Sequence, residues 1–419
     1  MGALLTLRAY LRSRWAARRG RSREAFLQWQ ERQYHRWLAQ DVPQVAAFAD
    51  VGHAGLSSTD KARVMADFAA FNRPGITAAQ GWAAVASTRK IGDLTIGAST
   101  GTSGNRGLFV ISDAERYQWL GVILAKALPD LWRRRHRVAV ILPLHTALYD
   151  SARQSRAVQL SFYDLARPMD GWLPDLILQN PTVIVAPPKV LCLLARHAPA
   201  LHPLRLFAAA ETLDPPDRAL IEAAFAHCLA QPLGQIYMAT EGLLGVTCHL
   251  GCLHLAEDVV RFDYEAVGDL VTPLISSFTR KTQILARYRM NDLLRLSAAP
   301  CPCGSPLQAV DEVVGRMDDV FYLPRRKGGQ VMVTPDILRN AVLGADAAIT
   351  DFRLQQMTAG QVRLTLPEGT GAAILARAVA AVGAVFSRLG AEVELAGEIR
   401  ALPVEPGRKL RRVESMVHG

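Results

Sequence analysis

The residues of this chain best suited to chemistry begin at Ser99-Thr100-Gly101-Thr102-Ser103-Gly104-Asn105-Arg106-Gly107, which puts four hydroxyls, three glycines and one cation into a single short loop. Glycines allow backbone conformations that turn several N–H groups to one side, and the hydroxyls add further donors, so such a loop suits a polyphosphate. It is not a Walker loop, because Gly-x-x-x-x-Gly-Lys-Ser/Thr is absent and no lysine stands at the needed place. Taken alone, a Gly/Ser/Thr-rich stretch is also what an ordinary surface loop looks like.

Four further clusters follow it in order: Tyr237-Met238-Ala239-Thr240-Glu241-Gly242, Arg287-Tyr288-Arg289-Met290-Asn291-Asp292, Gly315-Arg316-Met317-Asp318-Asp319, and Pro406-Gly407-Arg408-Lys409-Leu410-Arg411-Arg412. A separate set consists of Cys248, Cys252 and His254 and, after a long gap, Cys301 and Cys303 in Pro-Cys-Pro-Cys-Gly. Cys-Pro-Cys-Gly sets two thiolates on a tight turn, as a tetrahedral metal site requires, while reduced free thiols are the plain alternative. Cys192 and Cys228 sit in apolar helical patterns and read as core residues.

The order and spacing of the five clusters resemble the adenylate-forming superfamily of acyl-CoA synthetases, peptide-synthetase adenylation domains and luciferase. The likeness runs from about Asp60 to the C-terminus. Within it the chain looks like the compact phenylacetate–CoA ligase-like branch, which also holds a deazaflavin-adenylating synthetase and aryl-acid ligases of aryl-polyene pigment pathways. The resemblance implies ATP-dependent activation of a carboxylic acid, such as a hydroxybenzoate, as an acyl-AMP, followed by transfer to CoA or the phosphopantetheine of an acyl carrier protein. Two readings stand beside it: AMP transfer to a deazaflavin hydroxyl, and a zinc-bearing nucleic-acid-binding protein suggested by the charge and the Cys/His set.

Roles follow by resemblance. Ser99, Thr100, Gly101, Thr102, Ser103, Gly104 and Arg106 would hold the β- and γ-phosphates of ATP, Glu241 would bind Mg²⁺, and Thr240 would lie against the α-phosphate. Glu211 belongs to the adenine pocket, Tyr237 to the ATP site, and Asp292 suits the ribose hydroxyls. Arg316 could reach ribose or phosphate. Asp318 stands at the hinge position, and Lys409 where the family places the lysine bridging carboxylate and α-phosphate. That lysine lies in Gly-Arg-Lys where Gly-Lys is usual, which leaves Arg408 as a substitute. Tyr149, Phe162 and Tyr163 are candidate linings of the acid pocket. The branch pairs Cys248 and His254 with Cys301 and Cys303 as a structural Zn²⁺ site, with Cys252 the spare and His249 a substitute.

Short apolar runs at 137–144, 158–165, 182–188 and 204–211 alternate with helix-like stretches at 189–197 and 216–230. Buried strands alternating with helices predict an α/β layered domain. Residues 58–72 read as one capped amphipathic helix, and 234–322 as strand-rich. The expected organisation is a basic helical N-terminal extension over 1–57, a large ATP- and acid-binding domain over 58–322, a linker at 323–330, and a small mobile α+β domain over 331–419.

The formal net charge is +10, and the first 40 residues hold nine arginines against Glu24 and Glu31. That end suits an acidic partner, an anionic membrane surface or nucleic acid, unless it is only a solvated helix face. Phe26, Trp29, Tyr34 and Trp37 recur at helical spacing, as a stripe docking on the body does. No apolar run comes near the roughly 18 residues of a membrane span, and the Arg-rich start lacks the apolar core of a secretory signal. A cytoplasmic enzyme that binds no nucleic acid and has no transmembrane segment is expected, with peripheral membrane contact open to its basic N-terminus.

Overall fold

The computed structural model describes residues 1–49, 56–99, 106–142, 158–402 and 411–417. They form a mixed α/β protein with a large sheet-rich unit and a smaller α+β unit. The chain divides at Glu312/Val313, with Asn291–Leu294 belonging to the smaller unit.

In the large unit five strands run parallel in the order Gly234–Ala239, Arg205–Ala209, Val183–Ala186, His136–Leu142 and Val158–Asp164. Period-two alternation explains their burial on both faces. Ala139 and Ile141 enter a core built with the helices Leu173–Gln179, Pro188–His197 and Pro215–Phe225, whereas Val138 and Val140 enter a second core with the helix Asp113–Ala127. The sheet continues antiparallel from Gly242–Thr247 to Leu253–Leu255, and the hairpin Arg261–Val267/Leu270–Ser276 lies at its far end. A separate three-stranded sheet, Lys90–Ile91, Leu94–Ala98 and Leu108–Ser112, carries the Ser/Thr/Gly loop between its last two strands.

Residues 58–72 are not one helix. Asp60 caps Lys61–Ala66, and the backbone then breaks at Asp67, whose carboxylate accepts from the Ala70 N–H and caps a second short turn, Phe68–Phe71. A carboxylate of this kind competes with helix continuation for the backbone donors.

The basic N-terminal region is helical, as expected, and docks on the large unit. Its two helices are α1 (Gly2–Ala16) and α2 (Arg23–Gln40). Ser13 donates to Asp258 (2.6 Å), which also pairs with Lys126 (2.6 Å); Ser13 and Asp258 are buried and Lys126 is half-buried. Arg23 forks onto the buried Glu257 carboxylate, Gln30 donates to the Glu257 carbonyl (2.6 Å), and Trp37 donates to the Arg280 carbonyl (2.7 Å). Phe26, Trp29, Tyr34 and Trp37 are buried, as their spacing predicts.

The small unit pairs Glu394–Ile399, Gln361–Leu366, Arg353–Thr358 and Val413–Ser415 in one sheet, with the helices Pro335–Ala345 and Ala372–Leu389 closing its core. Residues 323–330 are not a linker. They belong to a hairpin of this unit, Phe321–Pro324 paired with Gln330–Val333, and Gly328 and Gly329 (φ +83° and +78°) supply the left-handed conformations that its turn needs. Ala372–Leu389 has the length and mean hydropathy (1.7) of a membrane span, contrary to the expectation that no run comes near it. Its Ala378, Val382 and Phe386 are buried in the small unit's core, and Arg377 pairs with Asp346.

Candidate active site and thiol–imidazole cluster

Parallel strands present their carboxyl ends at one edge of the sheet, where open α/β folds bind ligands. Glu211 follows the end of Arg205–Ala209, after Ala210 with φ +71°. Tyr237 lies on Gly234–Ala239, and Thr240 and Glu241 form the turn into Gly242–Thr247. Glu241 is fixed twice: the Tyr288 hydroxyl donates to its Oε1 (3.0 Å), and Arg280 Nη1 donates to its carbonyl (3.2 Å). Arg280 also donates to the Val110 carbonyl (2.9 Å), so it ties this turn to the strand that leaves the Ser/Thr/Gly loop. Burial holds the Arg280 guanidinium below its usual value, with Glu115 and Glu241 opposing the shift.

Of that loop, Ser99, Arg106 and Gly107 are described, while Thr100, Gly101, Thr102, Ser103 and Gly104 lie outside the described residues. Its base is closed by Ser99 N–H donating to the Gly107 carbonyl (2.8 Å) and Gly107 N–H donating to Ser99 Oγ (2.8 Å). Arg106 donates to the Ser99 carbonyl (3.2 Å) and stands over the Trp82 ring. A small crevice then brings Gly107, Thr240, Glu241, Arg280 and Tyr288 together with Lys61. Lys61 and Arg280 carry no signal within any of the clusters read from sequence. Long-range folding alone brings them to the turn.

A larger cavity, about 370 Å³, shares the Thr240–Glu241 turn as its wall. Phe109, Ile111, Trp119, Val122, Met238 and Leu243 make it mainly apolar, and Arg8 and Arg12 of α1 also line it. Phe162 and Tyr163 do not line it. They lie on the edge strand Val158–Asp164, where Tyr163 is buried and bonded to Asp175 (2.9 Å) and Gln179 (2.8 Å). Burial, with the Asp175 carboxylate beside it, pushes its phenol up. Strand alternation explains the misreading: Tyr163 faces the helix Leu173–Gln179 instead of an open pocket. Tyr149 lies outside the described residues.

In the small unit Asp292 begins a strand, and Arg316 ends the strand that leads into the turn Met317–Asp319. Asn291 donates to the Asp318 carboxylate (2.5 Å) and accepts from the Met317 N–H through its carbonyl (2.8 Å), which fixes the turn beside Asp292. Burial raises the neighbouring Asp319 to about 6 even with Arg411 against it. Lys409 lies outside the described residues.

The sulfur cluster is assembled by three separate pieces of chain. Cys248 follows the strand Gly242–Thr247, His254 sits on Leu253–Leu255, and Cys301 and Cys303 come from the Pro-Cys-Pro-Cys-Gly turn. One ligand atom from each of Cys248, His254, Cys301 and Cys303 lies within 4.8 Å of all the others. Zinc–sulfur bonds of about 2.3 Å in a tetrahedron set two sulfurs roughly 3.8 Å apart, and Cys248 Sγ is 3.9 Å from Cys301 Sγ. His254 Nδ1 is bonded to the Leu307 carbonyl (3.0 Å), so its Nε2 faces Cys303 Sγ at 3.4 Å. That backbone contact fixes the tautomer a ligating imidazole needs. Burial pushes the bare Cys303 thiol up to about 12, while hydrogen bonds from neighbours outweigh burial at Cys301 and lower it. His249 is instead exposed against Arg19 (3.1 Å).

The solved structures that match this architecture include 2-hydroxyisobutyryl-CoA ligase in the postadenylation state with R3-HIB-AMP, at TM-score 0.68 and 14% identity over 92% of this chain and 88% of that one. The chain shares the fold of this ligase structure. The same ligase in an open conformation with 2-HIB-AMP and CoA matches at TM-score 0.55 and 15% identity, over 92% of this chain and 87% of the other. A fatty acyl-adenylate ligase structure, from work on the E. coli and L. pneumophila enzymes, matches at TM-score 0.54 and 14% identity over 75% of this chain and 67% of that one. No protein-family profile matches the chain, and no curated protein matches its sequence.

Proposed function

We propose that the protein uses ATP to activate a carboxylic acid as an acyl-adenylate and then passes the acyl group to a thiol. The observation that carries this reading is the Thr240–Glu241 turn, set at the carboxyl edge of the parallel sheet between the foot of the Ser/Thr/Gly loop and a mainly apolar cavity. A carboxylate attacks the α-phosphorus of ATP, a phosphorus–oxygen bond to pyrophosphate breaks, and the mixed anhydride forms. A thiolate then attacks the acyl carbon and AMP leaves. Both partners in the first step are anions, so the chain's task is to hold charge against charge.

In this reading the loop residues with Arg106 and Lys61 cradle the β- and γ-phosphates, and Glu241 holds Mg²⁺, which offsets the phosphate charge. Thr240 meets the α-phosphate, and Glu211 and Tyr237 border the adenine. Asp292 bridges the ribose hydroxyls with Arg316 near it, and Lys409 bridges carboxylate and α-phosphate. Asp318 is the hinge between the half-reactions. The cavity takes the acid, and Phe109 and Trp119 on its wall favour an aromatic one. CoA or a carrier protein supplies the thiol. Cys248, His254, Cys301 and Cys303 would hold a structural Zn²⁺ that pins three separate pieces of chain and takes no part in the reaction. ATP–pyrophosphate exchange across a panel of aryl and aliphatic acids tests the reading. Exchange that depends on an aryl acid supports it, and no exchange with any acid overturns it.

A further inference from the structure

α1 has two faces. One is seated on the helix Asp113–Ala127. A Cβ added to Gly121 would come within 2.3 Å of the Thr6 carbonyl and 2.8 Å of Ala9 Cβ, so the two helices touch backbone to backbone. Thr6 donates to the Tyr117 carbonyl (3.2 Å) and Tyr10 to the Pro129 carbonyl (3.1 Å). The opposite face presents Leu4, Leu7, Leu11 and Trp15, which are 70, 39, 50 and 46% exposed. Their spacing of three, four and four places them in one ridge along the helix. A helix fastened so firmly on one side has no need of leucines on the other, and a soluble surface is penalised for such a row.

The side-chain charge carried by α1 itself is of one sign. Arg8 and Arg14 flank the ridge on opposite sides, and Arg18 stands over the Trp15 ring at its end. No acidic residue precedes Glu24. Tyr10 packs edge-on against Trp132, which is 69% exposed and is followed by the exposed Arg133, Arg134 and Arg135. Leucines in a row, a tryptophan at their end and guanidinium groups around them are what a helix lying in a headgroup layer requires. The exposed Trp132 with its three arginines stands at the edge of the same helix. The apolar side chains enter the acyl boundary, the indoles sit at headgroup depth, and the arginine stems reach up to phosphate.

We propose that this ridge and its arginines form a docking surface for an anionic lipid bilayer, with α1 lying in the plane of the headgroups. Charge complementarity selects this occupant over a second copy of the chain, whose own arginines would face these. The length of the leucine ridge selects it over an acidic protein, which would need the arginines more than the leucines.

The test is sedimentation of the full chain with vesicles of phosphatidylcholine alone or with about a third phosphatidylglycerol. The chain should pellet with the anionic vesicles only, and salt should weaken the binding. Leu7→Glu with Leu11→Glu should lower it by about tenfold or more, and Arg14→Glu with Arg18→Glu should do the same. Neither pair lines the cavity, so ATP–pyrophosphate exchange in solution should be unchanged in both. That readout separates failure of this proposal from failure of the proposed activity. Wild-type chain left in the supernatant, or variants that pellet like wild type, would overturn it. So would a dimer that Leu7→Glu with Leu11→Glu makes monomeric, or binding to an acidic acyl carrier protein without binding to vesicles.

Discussion

Glu241 shows how far single residues are legible. Its place after Tyr-x-x-Thr is a sequence signal, but the groups that hold it come from residues 39 and 47 positions away, Arg280 and Tyr288. No periodicity links such distances, so Lys61 and Arg280 carry no sequence signal, and Tyr288, though it lies in the Arg287–Asp292 cluster, is tied to Glu241 only by the fold. If Glu241 holds the metal, Glu241→Ala should cost adenylation about a hundredfold or more while the protein keeps its melting temperature. Tyr288→Phe removes one hydrogen bond to a carboxylate, worth about 1.5 kcal/mol, and should slow the same step by roughly tenfold. Pyrophosphate exchange measures both. Equal rates in Glu241→Ala and wild type would remove this turn from the chemistry. Phe162 and Tyr163 mark the opposite failure: an aromatic pair near a strand end reads as a pocket, and the pleat turns Tyr163 toward a helix instead.

At the scale of elements, the thiol cluster was legible because two of its ligands share one tight turn, whereas the choice between Cys248 and Cys252 was not. Folding puts Cys248 in the four-ligand set. About one zinc per chain is expected, lost in Cys248→Ser and Cys303→Ser and kept in Cys252→Ser, as read by metal analysis of the purified proteins. Loss of metal should lower the melting temperature before it slows catalysis. The N-terminal helices and their docking stripe were legible in the aromatic spacing, whereas the task of the arginines was not: Arg23 is the partner of a buried carboxylate, Glu257, whose side chain is 5% exposed. Truncating residues 1–23 would therefore leave Glu257 and Asp258 without Arg23 and Ser13, and an apparent loss of docking would be partly unfolding. Arg23→Ala alone should destabilise the chain by about 2 kcal/mol, less than a fully buried pair would lose because the guanidinium is itself partly exposed. Chemical denaturation measures it.

At the scale of the molecule, the alternation of buried strands with helices is enough to announce the large α/β unit, and the late helix–strand order announces the small one. The boundary between them was less legible. A basic stretch with two glycines reads as a linker, and only the pairing of Phe321–Pro324 with Gln330–Val333 reveals a hairpin turn. The chain leaves the large unit earlier, inside the strand Ala309–Arg316, and reaches Asp318 directly after it. This placement gives the two half-reactions separable handles. Lys409 acts, in the proposed chemistry, only on the charges of the first step, so Lys409→Ala should abolish acyl-AMP formation but still pass acyl groups from a supplied acyl-adenylate to the thiol. Asp318→Pro changes the backbone of the Met317–Asp319 turn and removes the carboxylate that accepts from Asn291. If that turn is a hinge, the variant should keep pyrophosphate exchange within about twofold while thioester formation falls by tenfold or more. Single-turnover assays of each step discriminate the cases. Equal losses in both steps would mean that the turn serves the small unit's fold alone, and an unaffected second step would place the hinge elsewhere along the chain.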